Sequence, residues 1–506
     1  MSSTPDPGPR ASARPSSGLK QGQELVLKIE KIAAQGSGMA THEGIPVFVH
    51  GAIPGQKVRV CVIKNKGEYV EAKIKKVEAK AIEEIMPRCK HFWQCGGCIW
   101  QHLPYNKQIL YKEQIVKDTL EHVTPVDEQT RKSLPGRVLS IIPSPQIFNY
   151  RNKLELSFGY KSMKSDVVES AKGDSKRVYL DEDPSIGFHQ PGQWATILPV
   201  EECHLYDEQI AALLAEVNRF MEKTKLSVYN PKTHKGMLRS LVLRRGVHTG
   251  EQMICFVVQA KKRELEPLFQ HFTKFGQLPN VSSLIVIEHF GRTDSVSSIG
   301  LNNLSKKHIH VLKGEPTVKE RLFDLEFNLS PFSFFQTNTL AAEKLYQTIA
   351  NAADLSGREI VLDCYCGLGS IGQYLSRFSE KVVGVESNAS AIEDALNSAG
   401  INKIANISFY KGAAENVLSK QLAPGGKYNF DVVVVDPPRA GLHKKVITSI
   451  LGHSPEKIVY VSCNTSTFAR DLGEFLKNGY ELRMVQPLDL FPHTSHVETV
   501  ALLQKS

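Results

Sequence analysis

The chain holds 506 residues, 41% of them hydrophobic, and carries a formal net charge of +9. That length accommodates about three domains of ordinary size. With no run of about eighteen apolar residues and no basic start ahead of an apolar block, the sequence predicts neither a membrane-spanning helix nor a secretory leader, and points to a cytoplasmic monomer.

Residues 1–19 are rich in Ser, Pro, Gly and basic side chains, with Asp6 the only acid, and are expected to form a disordered tail. Pro5, Pro7, Pro9 and Pro15 would break the amphipathic helix that an organelle-targeting peptide needs. Between Lys20 and Lys80 the chain places eleven Lys and Arg against six Glu. A local excess of +5 suits a polyanionic partner, although an ordinary solvated basic face has the same composition. Lys57–Val62 and Tyr69–Lys75 alternate apolar with polar residues, and Gly36, Gly38, Gly51, Pro54 and Gly55 punctuate turns. This pattern predicts a small OB-like β-barrel over residues 20–80. Gly36-Ser-Gly38, Pro46-Val-Phe-Val49 and Gly51-Ala-Ile-Pro-Gly55 resemble a TRAM domain, which implies RNA contact.

Cys89, Cys95 and Cys98 fall within ten residues. Nine cysteines in a chain of this length do not make a disulfide framework, so clustered thiols favour metal. Cys203, flanked by Glu201, Glu202 and His204, is the candidate fourth ligand, with His91 and His204 as competitors. Spacing alone leaves an iron–sulfur cluster, zinc and inert buried thiols open.

The C-terminal third reads as alternating strands and helices. Glu359–Asp363 is an expected strand, Cys364–Ser370 a Gly-containing turn, Ile371–Phe378 a helix, and Lys381–Glu386 a second strand ending in an acid. Asp431–Asp436 and Ile458–Ser462 continue a parallel, doubly wound sheet, whose ligands bind at the carboxyl ends of the strands. Glu386 is placed to accept hydrogen bonds from ribose hydroxyls. An acid at Asp363 would repel a pyrophosphate but suits an amine, which favours S-adenosylmethionine over a dinucleotide.

Arg439 follows Asp436-Pro-Pro where amino-group methyltransferases carry an aromatic residue, and Pro438 stands where cytosine-C5 enzymes carry Cys. Uracil C5 fits better. That carbon is a poor nucleophile until a thiolate adds at C6. Cys463 would supply the thiolate, and Glu498 would take the C5 proton after transfer. Taken singly, Cys463 also reads as a strand-end cysteine and Glu498 as a solvated carboxylate.

Phe334-Phe-Gln-Thr-Asn338, Asp363-Cys-Tyr-Cys-Gly-Leu-Gly369, Gly384-Val-Glu386, Asp436-Pro-Pro-Arg-Ala-Gly441, Tyr460-Val-Ser-Cys-Asn464 and His496-Val-Glu498 together resemble the RNA (uracil-5-)-methyltransferase family. With the TRAM-like region and the thiol set, the chain looks most like the iron–sulfur 23S rRNA uracil-C5 branch. The resemblance implies a C-terminal Rossmann-like methyltransferase domain over 331–506 and a central α+β domain over 81–330 that carries a [4Fe-4S] cluster and one wall of an RNA cleft. It implies that Gln336, Tyr365, Ser370, Glu386 and Asp436 hold S-adenosylmethionine, that Cys463 is the nucleophile and Glu498 the proton acceptor, and that Cys89, Cys95, Cys98 and Cys203 ligate the cluster.

One departure stands out. Ala413, in Gly412-Ala-Ala-Glu415, replaces an expected carboxylate, leaving Glu415 or backbone to hold the adenine amine. In the central domain, Asn149–Lys153 opens a strand over Leu154–Tyr160 whose Arg151 and Lys153 read equally as phosphate contacts or as ordinary solvated strand-edge cations, and Lys161–Asp183 is expected to form a loop. The target uridine must be unstacked for a thiol to reach C6. Ribosomal RNA is favoured over tRNA as the substrate, and the rival from another class is a non-catalytic RNA-binding factor that retains the fold.

Overall fold

The computed structural model describes residues 18–169, 175–292 and 306–506, and the tail expected over 1–19 lies almost wholly outside them. Two compact units emerge. One comprises residues up to Pro87 together with Ile99–Ile115 and His493–His496; the other comprises Arg88–Cys98, Val116–Pro492 and Val497–Ser506.

The first unit is built on a six-stranded sheet in the order Glu24–Lys28, Lys57–Asn65, Val70–Ala79, Ile45–His50, Gly38–His42 and Lys31–Ile32. Alternation within Lys57–Asn65 sends Val58, Val60 and Val62 inward to meet Val47, Val49, Val70 and Ala72. Outside that core, Trp100, Leu103 and Ile115 pack with Ile32, Ile53 and Ala81.

The second unit contains two seven-stranded sheets. The first runs Ile309–Lys313, Val281–Glu288, Gln252–Val258, Leu238–Arg245, Lys153–Glu169, Ser175–Gln190, Gln193–Pro199. Helix Ile210–Thr224 buries Leu214, Val217, Phe220 and Met221 in the same core as Leu156, Phe158 and Phe256. The loop expected over Lys161–Asp183 is instead largely a hairpin, with Lys153–Glu169 antiparallel to Ser175–Gln190. Its sequence is polar at successive positions, so it lacks the apolar alternation that marks a half-buried strand, yet backbone pairing requires no buried face.

The other sheet runs Ile407–Lys411, Lys381–Glu386, Ile360–Cys364, Val432–Val435, Lys457–Ser462, Glu498–Lys505, Tyr480–Leu488. The first five are mutually parallel, whereas Glu498–Lys505 is antiparallel to both its neighbours. Val432–Val435 is buried throughout, as a strand covered on both faces requires. This is the α/β methyltransferase-type sheet expected of the C-terminal third. Among the described residues no helix is long and apolar enough to cross a membrane.

Close packing sets the position of the second strand's carboxyl end. A Cβ at Gly384 would lie 2.6 Å from Phe409 Cδ1 and 3.0 Å from Cys366 Sγ. Overpacking of this kind costs about 1–3 kcal/mol. Gly384→Ala should therefore lower the urea midpoint of unfolding without changing the denaturant slope, and an unmoved midpoint would show that the site relaxes freely.

Candidate active site

The carboxyl ends of the parallel strands gather most of the residues singled out from sequence. Lys457–Ser462 ends one residue before Cys463, and Glu498 begins the adjacent strand. Their ladder pairs Ser462 with Thr499, so Cys463 and Glu498 stand next to each other one step beyond it. Cys463 is half-buried, while Glu498 is only 5% exposed and so is not a solvated surface carboxylate. Burial pushes the Cys463 thiol up to about 11, with the negative charges of Glu498 and Asp436 adding to the rise and Arg439 opposing it. These four side chains therefore share one electrostatic environment.

The turn that carries Asp436 and Arg439 is held from behind. Asn464 Nδ2 donates to Arg439 O at 2.9 Å, while Asn464 Oδ1 accepts from Ser466 N to cap helix Thr465–Lys477. From that helix, Asp471 Oδ2 accepts from Leu442 N at 2.8 Å and from Tyr460 OH at 2.8 Å. Arg470 Nη2 reaches Ala440 O. Gly441 has φ +78, and a Cβ there would meet Arg470 and Asp471 at 2.6 Å. The sequence reading missed this clamp, although Asn-Thr-Ser-Thr directly after a strand is a helix-start signal that pointed to Asn464.

Three acids meet at the ends of the first, second and fourth parallel strands. Asp363 is fully buried and pushed up to about 8, first by burial and then by the charges of Asp436 and Glu386. Burial pushes Asp436 up to about 6. Asp363 lies within strand Ile360–Cys364, close to the strand end read from sequence. Its Oδ2 accepts from Gly372 N at 2.9 Å beneath the turn, and its Oδ1 is buried with no hydrogen-bond partner among the described residues. Mutually repelling carboxylates of this kind fit a cationic ligand such as S-adenosylmethionine, which carries a sulfonium and an ammonium.

Glu386 accepts from Gly367 N at 3.1 Å and Asn388 N at 2.7 Å, tying the strand end to the glycine turn. Tyr365 occupies that turn at φ +64, with its ionisation raised by burial and then by neighbouring negative groups that include Glu415. Glu415 therefore does lie near the turn that Ala413 leaves without a carboxylate. Ser370 Oγ pairs with Tyr346 OH at 2.6 Å. Gln336 precedes helix Thr339–Ala353, which Asn338 caps through Ala341 N. Lys153, expected to meet phosphate, lies mostly buried opposite Arg244, and is lowered to about 8 by burial and then by that cation.

The thiol set is placed differently from what the resemblance implies. Cys89, Cys95, Cys98 and Cys203 form no disulfide and are all partly exposed. Burial raises Cys89, Cys95 and Cys203, and each is raised further by the charge of another of the three. Their donor chemistry fits a thiolate-ligated centre, yet among the described residues no group of three or more Cys, His, Asp or Glu converges to hold a metal ion. The competitor His91 accepts from Glu201 N, and His204 stands 3.4 Å from Glu202.

A family model described as tRNA (Uracil-5-)-methyltransferase matches residues 317–506, and a TRAM domain model matches residues 18–80. An uncharacterized RNA methyltransferase of Bacteroides thetaiotaomicron is 35% identical over 94% of this chain and 100% of its own length. One from Caldanaerobacter subterraneus subsp. tengcongensis is 34% identical over 96% and 100%. The structure of Pyrococcus abyssi tRNA (uracil-54, C5)-methyltransferase in complex with S-adenosyl-L-homocysteine superposes with a TM-score of 0.69 at 29% identity, covering 95% of this chain and 100% of that one.

The raised thiol makes a signed prediction. Thiolate is the reactive form, so labelling of Cys463 by iodoacetamide should rise about tenfold per pH unit from neutrality towards the value of about 11. At fixed pH, Glu498→Gln should speed labelling and Arg439→Ala should slow it. Peptide mass spectrometry resolves Cys463 from the other thiols, and a labelling rate flat with pH would contradict the assignment of charges.

Proposed function

We propose, from the premise that this chain belongs to the RNA (uracil-5-)-methyltransferase family, that Cys463 and Glu498 carry out methylation of C5 in a uridine of RNA. The protein is an S-adenosylmethionine-dependent enzyme of that family, and its TRAM domain gives it an RNA-binding module. The observation that carries the residue assignment is the antiparallel register that sets Glu498 beside Cys463 at the carboxyl end of the sheet.

The thiol gives up its proton to solvent, the thiolate adds to C6, and the C5=C6 electron pair moves into an enolate with C5 nucleophilic, leaving Glu498 free for the later step. The cofactor supplies an electrophilic methyl group at the acid-lined strand ends. C5 takes that methyl, leaving a saturated ring carbon that still bears its hydrogen. Glu498 accepts this proton, the C5=C6 bond re-forms, and the sulfur departs. Arg439 favours the thiolate while Asp436 and Glu498 oppose it. Gln336, Tyr365, Ser370, Glu386 and Asp436 are assigned to the cofactor because their segments border the same strand ends.

The chain would then divide into an RNA-binding barrel over residues 20–80, a central domain over 81–330 and a transfer domain over 331–506. The preferred substrate is a uridine of 23S-type ribosomal RNA, supported by the pairing of a TRAM domain with the Cys89, Cys95, Cys98 and Cys203 set. A uridine of tRNA is the second reading, favoured by the full-length superposition on the P. abyssi enzyme. Cys89, Cys95, Cys98 and Cys203 are assigned to a [4Fe-4S] cluster on their donor chemistry and the family resemblance, with no step of the transfer routed through it.

Loss of 5-methyluridine from rRNA in cells lacking this gene, with tRNA unchanged, is the expected outcome; loss from tRNA alone would select the second reading. Cys463→Ala should abolish methylation, and Glu498→Gln should accumulate a covalent protein–RNA species visible as a retarded band on denaturing gels. A Cys463→Ala enzyme that still methylates RNA would refute the nucleophile. Anaerobically purified protein should contain iron and acid-labile sulfide in equal amounts, both lost in Cys95→Ser and Cys203→Ser, whereas zinc alone would overturn the cluster.

A further inference from the structure

Asn152 lies between the segment read as contacting RNA and the segment read as contacting cofactor, and is 1% exposed. Its Nδ2 donates to the backbone carbonyl of Gln336 at 2.8 Å and to Thr339 Oγ1 at 3.0 Å. Its N–H donates to Thr337 O at 2.8 Å, and its own carbonyl accepts from Arg245 N at 2.9 Å. The residue before it, Arg151, forms a β-bridge with Asn338. Residues 151–152 and 336–339 are thus joined side by side although they lie far apart in sequence.

Each end of this strip reaches a different subsite. Arg151 is half-buried, its Nε lacks a hydrogen-bond partner among the described residues, and its charge acts on Cys95 and Cys203. On the other side, Gln336 precedes the helix capped by Asn338, and Thr339 Oγ1 donates to the buried Glu320 at 2.7 Å. Arg245 anchors the first end through Arg151 O, Asn149 O and Asp207. Its neighbour Arg244 points to the opposite face of the strand and donates to Ser333 O, and Ser333 Oγ donates to Asp394.

We propose that Asn152 is a positioning residue that couples the two subsites, so that RNA and S-adenosylmethionine bind cooperatively through it. The inference rests on the uracil-methyltransferase reading, with Arg151 on the RNA side and Gln336 on the cofactor side. A ligand that fixes Arg151 orders Asn152, and Asn152 orders the Gln336 carbonyl by direct hydrogen bonds. Coupling between two sites is reciprocal, so each ligand must tighten the other by the same factor.

The test measures the Kd of S-adenosylhomocysteine with and without a saturating uridine-bearing stem-loop RNA, and the Kd of that RNA with and without S-adenosylhomocysteine. The wild-type protein should show equal factors in both directions, on the order of 5- to 150-fold. Asn152→Ala should bring both factors close to one while each ligand still binds alone, an outcome that simple loss of stability would not produce. Thr339→Val removes one of the two acceptors of Asn152 Nδ2, along with the donor to Glu320, and should lower the factor partway, which keeps the test available if Asn152→Ala melts non-cooperatively. A wild-type factor of one, or a factor retained in either folded variant, overturns the coupling. Failure of the wild-type protein to bind either ligand would instead overturn the underlying functional reading.

Discussion

The antiparallel ladder between Lys457–Ser462 and Glu498–Lys505 is what the chemistry depends on. In a purely parallel sheet every carboxyl end would deliver the last residue of a strand, and two such residues on neighbouring strands would each be followed by a crossover. Inserting a reversed strand changes this, because its first residue lies beside the carboxyl end of its partner. A thiol at the end of one strand thereby meets a carboxylate at the start of the next, with Thr499 and Ser462 paired just behind them. Strand pairing has a period of two, so a slip of one residue would turn Cys463 and Glu498 to opposite faces.

The acids impose the second constraint. The charges of Asp436 and Glu386 add to the burial that pushes Asp363 up to about 8, and burial pushes Asp436 up to about 6. A site assembled this way is costly when empty and relaxed by a positive ligand. The same negative field works against forming a thiolate at Cys463, which is why Arg439 matters and why its turn is clamped by Asn464, Arg470 and Asp471 rather than left to solvent.

Much of this was readable in the chain. The apolar runs ending in Asp363, Glu386 and Asp436 placed the parallel strands and their carboxyl ends, because a strand buried on both faces leaves an unbroken apolar run. Cys463 and Glu498 were found from their chemistry. What could not be read was any feature that depends on partners remote in sequence. Lys153 read equally as a phosphate contact or a solvated strand edge, and only the register sets Arg244 opposite it; Asp363 read as the acid ending a buried strand, and only the fold shows Gly372 N donating to it. Asn152 showed no signal, since its bonds go to residues 336–339. The strand over Leu154–Tyr160 was legible from its alternation, whereas its continuation past Lys161 was not, because Lys161–Asp166 and Asp181–Asp183 carry no apolar alternation to mark it.

A thiol held near about 11 appears at first a poor choice of nucleophile, since little of it is ionised at neutral pH. Two effects offset that loss. The intrinsic nucleophilicity of a thiolate rises with its pKa, so the small ionised fraction is more reactive than a strongly acidic thiol would be. Protonation also shields an accessible sulfur from adventitious oxidation and alkylation, which act on the thiolate. On the proposed mechanism the reactive form is needed only when a pyrimidine stands against it, and the carboxylate whose charge opposes ionisation of Cys463 is the same Glu498 assigned to accept the C5 proton.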